Sequence, residues 1–222
     1  MAICKHYIVG VSVGVMAHPS TIAVIEQESS QRDAKREITE LRLRHLERLP
    51  LSASYPALAK RLRAIRDGLL EHEQASGPEM IADITGTGTA VYKYFNTEDL
   101  NPIQTFITAG SGEIETSPRK WRVSRCEMVG ALQVNFHSER FTIASALDLA
   151  PALTEELTNF KMKAPASGGD DLEAWRAGAS DDLVLATALA GWWAERDIPV
   201  AKATLDKFCR EMDDFYSKWA PC

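Results

Sequence analysis

The 222 residues, 45% apolar and 25% charged, match one globular domain with a substantial core. A formal charge of −6 excludes a surface that is basic throughout, while leaving room for a local basic patch. Cys4, Cys126, Cys209 and Cys222 lie far apart with no CxxC pair, which argues against a disulfide framework or a zinc site and for a reducing cytoplasm.

The opening MAICKHYIVG has too short an apolar run for a signal peptide, and no stretch approaches the length of a membrane span. Residues 6–15 and 20–28 read as a β-hairpin, with His18-Pro19-Ser20 near its turn. The first strand carries Gly10, Ser12 and Gly14 on one face and Val9, Val11, Val13 and Val15 on the other, so small residues leave room along a buried strand. A third strand follows in REITELRLRHLERLP, whose apolar period falls between 2 and 3.6. YPALAKRLRAIRDGLLEHE is an amphipathic helix with Leu58, Leu62, Ile65 and Leu69 in its stripe.

EMIADITGTGTAVYKYF predicts a short buried strand ending at Asp83, a Gly/Thr turn, and a helix from about Thr89. PIQTFITAG is a further strand, SPRKWRVSR a basic connector, CEMVGALQVNFHSE a helix and RFTIAS a short strand. Two helices follow in LAPALTEELTNFK and SDDLVLATALAGWWAER, with APASGGDD as a loop between them. Ser180 is the expected N-cap of the second, with Asp181 and Asp182 in its first turn. Residues 1–198 thus form the domain, and 199–222 a C-terminal helical tail. An antiparallel meander followed by alternating helices and strands gives a mixed β-sheet with helices on both faces, an α/β fold of the ribonuclease H type.

Three stretches together resemble the C-terminal nuclease domain of phage terminase large subunits, the DNA-packaging enzymes. They are YIVGVSVGVMAHPSTIAVIE, IADITGTGTAVYKYF and GASDDLVLATALAGWW. WRVSRCEMVGALQVNFHSERFTIA and LTEELTNFKMK fit in order and spacing, so the resemblance spans about residues 6–196. The Asp-Asp-Leu-Val helix start disfavours a junction resolvase of the same fold. No GxxxxGK[ST] phosphate loop occurs, so the family's ATPase module has no counterpart in this sequence.

The resemblance implies two-metal phosphodiester cleavage with Mg2+ or Mn2+. It assigns Asp83 and Asp182 as catalytic and Asp83, Asp181 and Asp182 as metal ligands, with repulsion raising at least one carboxyl pKa. The partners implied are double-stranded DNA and other packaging-motor components, in the cytoplasm of a bacterial host. Arg119, Lys120, Arg122 and Arg125, with the helix arginines Arg61, Arg63 and Arg66, are candidates for phosphate contacts. The family's first acid falls on Ser12 and a second on His18.

Each residue also has a plainer reading. Asp83 can form the turn, the aspartates can cap a helix, His18 can serve a turn, and the arginines can be solvated. Trp175, Trp192 and Trp193 read as packing residues. Two functions therefore stand: an endonuclease domain impaired at Ser12, or a catalytically degenerate nuclease fold that binds DNA or a packaging partner.

Overall fold

A computed structural model describes residues 4–15, 18–33, 36–71, 75–86, 89–160 and 181–197. The expected loop at 164–171, Trp175, the Ser180 cap and the tail helix lie outside these residues. No helix among the described residues is long and apolar enough to cross a membrane.

The strands are β1 (Cys4–Ser12), β2 (Thr21–Asp33), β3 (Arg36–Arg48), β4 (Ala75–Asp83), β5 (Ile103–Thr108), β6 (Glu113–Ser117), β7 (Lys120–Ser124) and β8 (Phe141–Ile143). They form one sheet in the order β6-β7-β5-β4-β1-β2-β3-β8. β1, β2 and β3 make the antiparallel meander, and β4 joins β1 in parallel. β1 is therefore central, as its run of valines requires: a strand covered on both faces needs apolar side chains on both.

Helices α1 (Tyr55–Leu70) and α2 (Thr89–Thr97) cover one face, packing Leu58, Leu62 and Phe95 against Val9, Val11 and Ile22. Ser54 starts α1, its hydroxyl accepting the N–H of Ala57 at 3.4 Å. The other face carries α3 (Arg125–His137), α4 (Ala150–Asn159) and α5 (Asp182–Ala194). Every residue of α5 except Trp193 is buried. A helix apolar on all sides belongs inside, and α5 lies directly on β1 and β2.

Two expectations change, and a third, the β3 strand, is met with its irregular period explained. The basic connector is a hairpin: Glu113–Ser117 and Lys120–Ser124 pair antiparallel, with Arg119 at φ 61° in the turn. Both strands are only five residues long and the left-handed turn position is an arginine in place of glycine or asparagine, so the usual hairpin signals are missing. β3 is a full strand whose period breaks at a bulge, where Val24 pairs with His45 and Ile25 with Leu43. The extra residue, Arg44, shifts the phase so that Leu41, Leu43 and Leu46 all reach one core. Finally, Ser12 is the last residue of β1 and not a mid-strand position.

Candidate functional site

Ser12 and Asp83 end two adjacent parallel strands and stand opposite each other in register. Alternation along the strands puts Ser12 on the side of Ile8 and Gly10, and Asp83 on that of Ile81, so both face the α5 layer. Both are buried, Asp83 at 1% exposure. The Asp83 Oδ1 accepts the Thr85 N–H at 2.8 Å, so the turn-forming role read for this aspartate is realised at one of its oxygens.

The glycines on the Ser12 face leave no open room. A Cβ on Gly10 would lie 2.1 Å from the Ala186 carbonyl oxygen, and one on Gly14 would lie 2.2 Å from that of His18. The first serves the close approach of α5, and the second the return of the chain into β2. There the Ser20 hydroxyl accepts the Gly14 N–H at 3.0 Å.

A narrow cleft beside Ser12 is lined by Gly14, His18, Asp181 and Asp182. Asp182 is 4% exposed and has two basic neighbours: His18 Nδ1 lies 3.7 Å from Oδ1, and Arg48 Nε lies 4.0 Å from Oδ2. His18 also serves its turn, donating its backbone N–H to Val15 at 3.1 Å. Asp181 accepts from Arg125 at 2.5 Å and makes no side-chain cap. Glu156 of α4, which sequence reasoning did not single out, caps α5 instead. Its Oε2 accepts the N–H groups of Leu183 at 3.0 Å and Val184 at 3.3 Å. Its Oε1 pairs with Arg48.

Burial raises the carboxyl pKa of Asp181, opposed by the Arg125 charge and reinforced by that of Asp182. Burial, and not repulsion between carboxylates, is the largest cause of this upward shift. Burial likewise raises Glu156 against the pull of Arg48, and lowers Arg125 to about 10.

Two hard cations need several anionic oxygens converging within a few ångströms. Here position 12 offers a hydroxyl, Asp181 is tied to Arg125, and Asp182 faces Arg48 and His18. Among the described residues no three His, Cys, Asp or Glu side chains are grouped as a ligand set. These residues do not fit a two-metal centre.

The basic candidates separate. Arg119 and Arg122 are exposed and Lys120 half-buried along the β6–β7 edge. Arg125 turns inward, its guanidinium 4.3 Å from the centre of the Phe160 ring. Arg61, Arg63 and Arg66 pair with Glu47, Glu98 and Asp67. Trp192 and Trp193 pack edge-on against Trp121, and the Arg196 guanidinium sits 3.7 Å from the centre of the Trp121 ring. This is the packing role read for the tryptophan pair.

The fold is of the ribonuclease H type, an eight-stranded mixed sheet with its polar cluster at the carboxyl ends of β1 and β4. Among solved structures it resembles terminase large-subunit nuclease domains. The large terminase nuclease of thermophilic phage G20c, solved with bound zinc, is 17% identical at a TM-score of 0.51, over 84% of this chain and 80% of that one. The human cytomegalovirus terminase nuclease domain, manganese-soaked with an inhibitor bound, is 12% identical at 0.52, over 85% and 84%. At these identities the likeness is one of fold. No protein-family model matches the sequence, and no curated protein does either.

Proposed function

We propose that the chain is a terminase-type nuclease-fold domain that engages double-stranded DNA and whose metal-dependent cleavage is disabled at position 12. The observation that carries this reading is the pairing of Ser12 with Asp83 at the carboxyl ends of two central strands, on the side of the sheet that α5 covers. A neutral hydroxyl stands where the resemblance expects a bridging carboxylate. It is a weak ligand for a hard cation and supplies no charge.

Mg2+ or Mn2+ would, in a complete centre, supply the charge that activates water and steadies a leaving oxygen. In this chain Asp83 and Asp182 are the carboxylates that would face such an ion, with Asp181 auxiliary. Arg119, Lys120 and Arg122 contact DNA phosphates along the β6–β7 edge, whereas Arg125 serves Asp181. Packaging-motor components inside a bacterial host are the further partners that this reading implies.

The test pairs duplex binding in EDTA across a salt series with nicking of supercoiled plasmid in manganese. Salt-dependent binding is expected, weakened by Arg119→Ala and Arg122→Ala, with nicking no higher than in Asp83→Asn or Asp182→Asn. Nicking that those asparagine variants abolish would instead establish an active endonuclease.

A further inference from the structure

The permanent charge that answers Asp182 is a cation of the chain itself. Arg48 ends β3, and its guanidinium lies between Glu156 of α4 and Asp182 of α5. Glu156 is fixed in turn, because its second oxygen takes the Leu183 and Val184 N–H groups. Its side chain is 10% exposed and that of Arg48 29%. One polar cluster therefore joins three elements, and its geometry is set by the backbone of α5.

We infer that Arg48 is the resident cation of this carboxylate site, clamped by Glu156 against Asp182 so that it keeps a divalent ion out. This rests on the reading of the domain as a nuclease fold with an incomplete carboxylate centre. An incoming ion at Asp182 must either displace the guanidinium, which Glu156 holds 4.0 Å away, or sit beside a like charge. Arginine carries its charge at every physiological pH, so the exclusion has no off state short of moving the side chain. Two features, not one, then separate this site from a metal centre: the missing acid at position 12 and the cation at position 48.

The test measures Mn2+ binding by titration calorimetry in the full chain and in three variants. These are Ser12→Asp, Ser12→Asp with Glu156→Gln, and Ser12→Asp with both Arg48→Gln and Glu156→Gln. The Glu156→Gln change keeps a carbonyl oxygen for the Leu183 and Val184 N–H groups, and thermal melts report whether each variant folds. Ser12→Asp alone is expected to gain little, and removing Arg48 as well to tighten binding by a further factor of about ten or more, as loss of a charge so close to the ion demands. If the variant lacking Arg48 fails to fold, Ser12→Asp/Glu156→Gln decides: with Glu156 neutral, Arg48 keeps Asp182 as its acidic partner, so Mn2+ should bind more weakly than in Ser12→Asp. Equal affinity of Ser12→Asp and the folded combined variants overturns the inference. Nicking by the parent chain, or its failure to bind DNA, overturns the functional reading while leaving this affinity ratio to stand or fall separately.

Discussion

Gly10 of β1 lies directly beneath Ala186 of α5: a Cβ on the glycine would stand 2.1 Å from the Ala186 carbonyl oxygen and 2.9 Å from the Ala190 nitrogen. Both are backbone atoms, so relief requires moving the helix. Gly10→Ala should therefore destabilise the domain by at least the ~1–3 kcal/mol typical of core overpacking. It should also disturb the cleft, because the same helix carries Asp182. Gly68 lies on the exposed side of α1, where an added Cβ would meet nothing within 4 Å. Gly68→Ala should stabilise by up to about 1 kcal/mol through helix propensity. Urea melts of the two variants should move in opposite directions.

The contrast between these glycines shows what the sequence could reveal. Alternation in β1 and β2, the stripe of α1 and the apolar run of α5 identify those elements, because each pattern is local. Small residues on the Ser12 face correctly signal a close approach, but what fills the space is the α5 backbone at one glycine and the chain's own turn at the other. Glu156 was hidden for a different reason. Its work is to cap a helix distant in sequence, and no local spacing encodes a contact between α4 and α5. Arg48 stood among the arginines of β3, and only the fold distinguishes it by bringing Asp182 and Glu156 to it.

The capping role of Glu156 has its own consequence. Glu156→Ala leaves the first N–H groups of a buried helix without their acceptor and removes the partner of Arg48, and should cost about 1–3 kcal/mol, the range for leaving buried donors unsatisfied. Glu156→Gln retains an acceptor oxygen and should cost clearly less. Chemical denaturation of both variants checks the order, and equal losses would show that the charge matters and the cap does not.

Stability should also depend on acid through Glu26 of β2, which is 4% exposed. Burial favours its neutral form, but hydrogen bonds and charge from Arg44, with Lys5 and Arg42, outweigh burial and hold its pKa below the ordinary 4.5. A lowered carboxyl pKa stabilises the fold above the unfolded-state value, and the contribution is lost as pH falls through the folded one. Melting temperature should therefore drop as pH decreases below about 4.5, the ordinary carboxyl value. Glu26→Gln should lower stability at neutral pH and flatten that part of the profile. An unchanged profile in the variant would assign the acid sensitivity to other carboxyls.

Position 12 provides the sharpest test of the site. Ser12 is 6% exposed, with α5 packed on Gly10 and the His18 turn on Gly14. Any larger residue must therefore find its room toward the cleft. Ser12→Asn measures that steric cost alone, since it adds bulk without charge. Ser12→Asp adds a carboxylate beside the buried Asp83 and near Asp182, so the difference between Asp and Asn reports electrostatic crowding. In EDTA the melting temperatures should fall in the order Ser, Asn, Asp. Manganese should raise the melting temperature of Ser12→Asp more than that of Ser12→Asn or the parent, because only the aspartate supplies an anionic oxygen that binding can reward. The rise should increase again when Arg48 and Glu156 are both changed to glutamine. Identical melting curves for Ser12→Asp and Ser12→Asn, with and without manganese, would mean that position 12 does not face the carboxylates of Asp83 and Asp182.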